Sequence, residues 1–143
     1  MNPYKTIALA LLASALSGCI QPRQSALDNL RTASIDVVNA YAADMGAYVA
    51  RHGRDQAMEK GMESVRRQLK DPESARFQNT RLAAYAGGMV LCGEINAKNS
   101  YGGYVGFKRF VAGSISATMQ ETDRRHPDVA AASNAGIIVA CGY

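Results

Sequence analysis

Three cysteines (Cys19, Cys92 and Cys141) and two histidines (His52 and His126) are the side chains in this sequence best suited to nucleophilic or metal chemistry. A Ser–His–acid hydrolase would need one of the histidines beside a nucleophile. His52 sits in the charged stretch Arg51-His52-Gly53-Arg54, and His126 precedes Pro127 in a polar segment. Neither G-x-S-x-G nor H-E-x-x-H occurs. No His or Cys stands at ligand spacing from Cys92 or Cys141, so a tetrahedral metal site cannot be completed. Glu73, Glu94, Glu121 and Asp123 show no spacing that marks a working carboxylate pair. Gly102-Gly103-Tyr104-Val105-Gly106 lacks the order of a phosphate-cradling loop and the Lys-Ser/Thr that opens its helix. The expectation is a non-enzymatic protein with no catalytic residue, no metal and no cofactor.

Binding is better represented. Asn96, Lys98, Asn99, Tyr101, Tyr104 and Arg109 bring amide, cation and aromatic groups into one short segment. Asn96 and Asn99 can close turns with their own side chains. Gly102, Gly103 and Gly106 mark places where the backbone needs positive φ or close approach. Tyr and Arg are frequent contact anchors, so the segment suits a sugar strand, a peptide or a protein partner. The competing reading is a hairpin of demanding geometry over an aromatic core. The basic residues between Arg51 and Lys70 alternate with Asp55, Glu59 and Glu63, the pattern of a solvated helix face. Contact with anionic headgroups or with peptidoglycan carboxylates is their second use. Over 143 residues, 16 Lys+Arg against 12 Asp+Glu leave +4. That charge forms no clustered stripe, and no nucleic-acid partner is expected.

The elements that hold these residues follow from periodicity. The length allows one domain, and 48% hydrophobic with 20% charged residues provides for a core. Leu27, Leu30, Val37, Val38, Tyr41, Met45 and Tyr48 recur at three- and four-residue steps and predict a helix that Ser25 can cap. Asp55 is expected to cap a second helix with the apolar line Met58, Met62, Val65 and Leu69. Asp71-Pro72 starts one more short turn, which delivers Phe77 to the core. The period then changes to two. Leu82–Ala86 and Met89–Ile95 predict strands around the turn Ala86-Gly87-Gly88, and Tyr104–Gly113 predicts a third. Ser114–Met119 extends that strand or opens a loop, and Glu121–Asn134 reads as polar surface or a brief helical turn. Gly136–Cys141 (GIIVAC), apolar on both sides, reads as a central terminal strand. The fold class expected is α+β: two N-terminal helices packed on one face of a small antiparallel sheet of three to four strands.

Residues 1–19 read MNPYKTIALALLASALSGC, with Lys5 the only charge and an apolar run of secretory-signal length. Leu16-Ser17-Gly18-Cys19 resembles the lipobox of bacterial lipoproteins. That resemblance implies a signal peptide over residues 1–18 and acylation of Cys19, which would anchor the chain in the membrane. Residues 19–24 would be the lipidated cysteine and a short tether, and residues 25–143 one periplasmic domain. Ile20, in place of the Asp that retains such lipoproteins at the inner membrane, implies the outer membrane, facing the periplasm. In that oxidising compartment Cys92 and Cys141 are most simply a disulfide.

A second string is also distinctive. Asp71-Pro72-Glu73-Ser74-Ala75-Arg76-Phe77, followed by the segment from Cys92 to Phe110, resembles small exported proteobacterial proteins and lipoproteins. Their signature runs DPxSAxF, then CGxxNAKNxxGGYxGFxxF. The match covers about residues 65–111. It implies a shared fold and an envelope location, with no reaction attached. The function expected is a membrane-anchored module that presents the Asn96–Phe110 hairpin to an envelope protein. The alternatives are a structural subunit of a secretion or conjugation apparatus, and an exclusion or inhibitor lipoprotein of plasmid or prophage origin.

Overall fold

The computed structural model describes residues 21–143; the signal expected over residues 1–18 and the acylation expected at Cys19 lie outside the described residues. α1 (Gln21–His52) is a 32-residue helix, about 48 Å long at 1.5 Å per residue. Its predicted stripe is the face it packs: Val38, Ala42 and Met45 are fully buried and Leu30, Tyr41 and Tyr48 half-buried, while Val37 faces out. Residues 21–24, expected as a polar tether, already belong to this helix. Proline is tolerated in a first helical turn, where its missing N–H has no partner to lose, so Pro22 does not stop it.

Gly53 interrupts the helix for a single residue and α2 (Arg54–Arg66) follows at once. Asp55, expected as the cap, lies inside the first turn, where its carboxylate meets the positive end of the helix dipole. A 3-10 turn (Pro72–Ser74) leads into four antiparallel strands that pair in sequence order: β1 (Arg76–Tyr85), β2 (Gly88–Asn96), β3 (Lys108–Ala112) and β4 (Ala117–Met119). α3 (Pro127–Ser133) and α4 (Ala135–Cys141) complete the chain. The expected α+β class, with the N-terminal helices on a four-stranded antiparallel sheet and one disulfide, is what the chain adopts.

Successive residues of β2 enter different cores, because side chains alternate across a strand. Val90 and Cys92 join Val111, Val38 and Ala42 of α1, and Ile137 and Ala140 of α4. Leu91 and Ile95 join Phe110 and Ala112, Met45 of α1, and Ala57 and Val65 of α2. The sheet is thus covered on both faces rather than on one, which accounts for the near-continuous apolar run of β2. α1 serves both cores because it crosses the end of the sheet, touching Gly88 of β2 and Gly113 beyond β3. There the Asp44 carboxylate accepts from the Ser114 amide at 2.7 Å and the Ser114 hydroxyl at 2.8 Å, fixing the turn into β4.

Three stretches correct the sequence reading. Gly136–Cys141 is helical and not a central strand. Ile137, Ala140 and Cys141 are buried while Ile138 and Val139 are exposed, a helical three-and-four spacing that a short apolar run does not reveal. The Ser34 hydroxyl of α1 donates to the Ser133 carbonyl (2.7 Å) and accepts from the Gly136 amide (3.0 Å), seating the junction of α3 and α4. The first strand begins at Arg76, six residues before the expected Leu82. Its polar half carries a bulge between Gln78 and Arg81, with Asn79 at φ 54°, and so shows no alternation. Such a bulge also blunts an edge strand against pairing with another chain. The third strand holds only Lys108–Ala112; Tyr104–Phe107 leave the ladder.

Candidate functional site

The residues singled out around Asn96 form the loop between β2 and β3, and side chains rather than a core hold it. The Asn99 side-chain oxygen Oδ1 accepts from the amides of Tyr101 (2.9 Å) and Gly103 (3.1 Å). Backbone bonds from Asn99 to Gly103 (2.9 Å) and from Gly102 to Asn99 (3.0 Å) close the same turn. The Asn96 side-chain oxygen Oδ1 accepts from the Gly106 amide at 3.1 Å, tying the end of β2 to the returning chain. Gly106 makes this possible with φ +94°, a conformation open to glycine at no steric cost. Lys98 and Tyr104 face each other across an isolated antiparallel bridge.

The two halves of the signature meet here. Asp71 caps the 3-10 turn by accepting from the Ser74 amide (3.2 Å), and the Ser74 hydroxyl donates to the Asp71 carbonyl (2.8 Å). The same hydroxyl accepts from the Lys98 amide at 2.9 Å, so the turn before β1 braces the loop after β2. Phe77 packs edge-on against Phe110 with centroids 5.8 Å apart. Gly93 is glycine because a Cβ there would stand 2.9 Å from the Phe110 ring. Ser74 was not singled out as a loop residue; the serine inside the DPxS string was the available signal.

Clamped in this way, the loop turns its apolar groups outward. Tyr101 is 96% exposed, and Val105 and Phe107, further along the same loop, are exposed as well. Tyr104 has one side covered by the Arg76 guanidinium, 4.2 Å from its centroid. Arg109, expected to join this group, is separated from it. It stands opposite Glu94 in the β2–β3 register, on the sheet face shared with Cys92, and stacks on Tyr143 at 4.5 Å. Burial pushes the Tyr143 hydroxyl up from its ordinary pKa, so it stays protonated and donates to the Gly93 carbonyl at 3.2 Å. That makes a lock for the C-terminus and not a nucleophile.

Between the loop, the segment after α2 and the chain after β4 lies a cleft of about 240 Å³. Leu69, Ile95 and Met119 line it together with Lys70, Lys98 and Lys108. Elsewhere, His126 bonds to Asp123 at 2.9 Å, and His52 stacks on Tyr48 with centroids 4.3 Å apart. Among the described residues no three His, Cys, Asp or Glu side chains gather closely enough to hold a metal ion. No described helix is long and apolar enough to cross a membrane. No protein family, curated protein or solved structure matches the chain.

The clamp can be separated from the fold. Asn99→Ala removes two bonds on an exposed loop, each worth about 1 kcal/mol or less in such a setting. Global stability is expected to fall by no more than about 2 kcal/mol. The Tyr101 and Gly103 amides should exchange with solvent at least ten-fold faster, read by hydrogen exchange. Unchanged exchange there would mean that packing, not Asn99, holds the loop.

Proposed function

We propose that this chain is a membrane-anchored periplasmic lipoprotein whose β2–β3 loop binds an envelope protein. The observation that supports the reading is the loop itself. A loop that exposes Tyr101, Val105 and Phe107 is held by Asn96, Asn99 and Ser74 before any partner arrives. A preformed loop loses little conformational freedom on docking, so more of its contact energy appears as affinity. Exposed aromatic residues are the common anchors of protein interfaces. With α1 helical from Gln21, acylation at Cys19 would hold the start of this helix near the lipid surface. Two or three acyl chains make a firm anchor, at about 0.8 kcal/mol per buried CH₂.

Two measurements test this. Cys19→Ser should release the protein from membranes or leave the unprocessed precursor; normal processing with unchanged membrane retention would remove the lipoprotein reading. A photo-cross-linking residue in place of Tyr101, in whole cells, should capture one dominant envelope protein, with at least ten-fold less capture from a probe placed at Lys60 on α2. Capture of abundant porins alone, equal from both positions, would return the loop to a purely structural role.

A further inference from the structure

The cleft beside the loop has a composition of its own. Its floor is apolar, with Ile95 buried and Leu69 and Met119 half-buried. Its rim carries Lys70 from the end of the helical half, Lys98 from the loop and Lys108 from the start of β3, against one acid, Glu121. Among the described residues, neither the Lys70 nor the Lys108 ammonium has a carboxylate or hydrogen-bond partner. Lys98 has only the Tyr104 ring, 5.8 Å from its ammonium. α2 ends nearby, but the partial charge of a helix C-terminus is only about −0.5. The rim stays positive.

Size narrows the ligand further. Pockets for cofactors and drug-sized molecules run to roughly 300–1,000 Å³, so a cleft of about 240 Å³ fits one or two side chains. The amides on the rim point the same way. Gln120 Oε1 accepts from the Arg109 amide (3.3 Å), and Asn99 Oδ1 is taken by the loop. Their NH₂ groups are left to donate, and peptide carbonyls are the matching acceptors. A free inorganic anion would leave the apolar floor unused. A bare acyl chain would leave three ammoniums without counter-charge.

We infer that the cleft receives an acidic peptide segment of the partner protein, placing one apolar side chain between Leu69, Ile95 and Met119 and its carboxylates on Lys70, Lys98 and Lys108. This rests on the loop being a protein-binding surface, and it names the chemistry of what is bound. The salt dependence expected of exposed charge pairs applies here as well.

The test is a titration of the purified, isotopically labelled full chain, followed by amide chemical shifts. The probes are a capped pentapeptide with leucine between two pairs of glutamates, its lysine counterpart, the glutamate peptide with serine for leucine, and inorganic phosphate. The glutamate–leucine peptide should shift the amides of Ala97, Asn99, Gly106 and Glu121, and bind at least ten-fold more tightly than the other three probes. Affinity should drop several-fold on raising the salt, and at least ten-fold in Lys70→Glu/Lys108→Glu with unchanged thermal stability. Equal binding of the serine peptide or of phosphate would mean an unspecific anion site and overturn the inference, as would shifts confined to another surface. The double variant, combined with the cross-linker at Tyr101, keeps the two readings apart. Undiminished capture of the partner overturns the cleft and leaves the loop. Loss of capture from parent and variant alike removes the loop, and the titration alone then decides the cleft.

Discussion

Reduction of the Cys92–Cys141 disulfide is expected to lower the midpoint of thermal unfolding by roughly 15 °C. The bond closes a loop spanning 49 residues of sequence, and the chain-entropy relation gives about 4 kcal/mol for a loop of that size. For a domain of this length, 1 kcal/mol moves the midpoint by about 4 °C. The effect should be local before it is global. α4 has seven residues, too few to persist as an isolated helix, and the disulfide joins its last turn to the middle of β2. Once it is cut, Ala135–Tyr143 should lift first, exposing Val90 and Val111 beneath it. Calorimetry with and without reductant, together with Cys92→Ala/Cys141→Ala, measures the change. A fall of less than about 4 °C would show that packing of α4 on α1 holds the terminus and that the bond adds little.

The second large effect belongs to Gly88. A Cβ on this residue would stand 2.0 Å from the carbonyl oxygen of Ala42 and 2.5 Å from its carbonyl carbon. Both are backbone of α1, which cannot rotate aside as a side chain can, so the helix must move off the end of the sheet. Both cores draw on that helix, through Val38 and Ala42 on one side and Met45 on the other. Gly88→Ala should therefore cost about 3 kcal/mol or more. The neighbouring glycine supplies the control. Gly87 has φ +74° with nothing within 4 Å of its would-be Cβ. Gly87→Ala then carries only the left-handed backbone penalty, about 1–2 kcal/mol. Urea unfolding of the two variants should separate them clearly. Equal losses would mean that α1 does not press on the sheet at Gly88.

Where local pattern and packing agree, the chain could be read in advance. The stripe from Leu30 to Tyr48 specifies α1 because three- and four-residue recurrence leaves one face to bury. Ala86-Gly87-Gly88 specifies the β1–β2 hairpin, and Asp71-Pro72 the 3-10 turn that braces the loop. Where they disagree, the reading went astray. Ile137-Ile138-Val139 is β-branched, but it forms a helix packed with Val90 and Val111, which the disulfide and Ser34 hold in place. Val105 and Phe107 continue the alternation of β3, but the bond from Gly106 to Asn96 takes them out of the ladder.

By itself the sequence determined the α+β class and the clamping asparagines, and it offered Cys92 and Cys141 as the pair to bond. The class and the asparagine turns are properties of a simple period or of neighbouring residues, whereas the pairing, across 49 residues, follows from reading Cys19 as the acylation site. Tertiary structure alone decided that the sheet is covered on both faces, that Arg109 turns away to Tyr143, and that Lys70, Lys98 and Lys108 surround one apolar cleft. Those three lysines come from three different segments. Local periodicity carries no information about which segments meet, because the meeting is fixed by how α1 and α2 settle on the sheet.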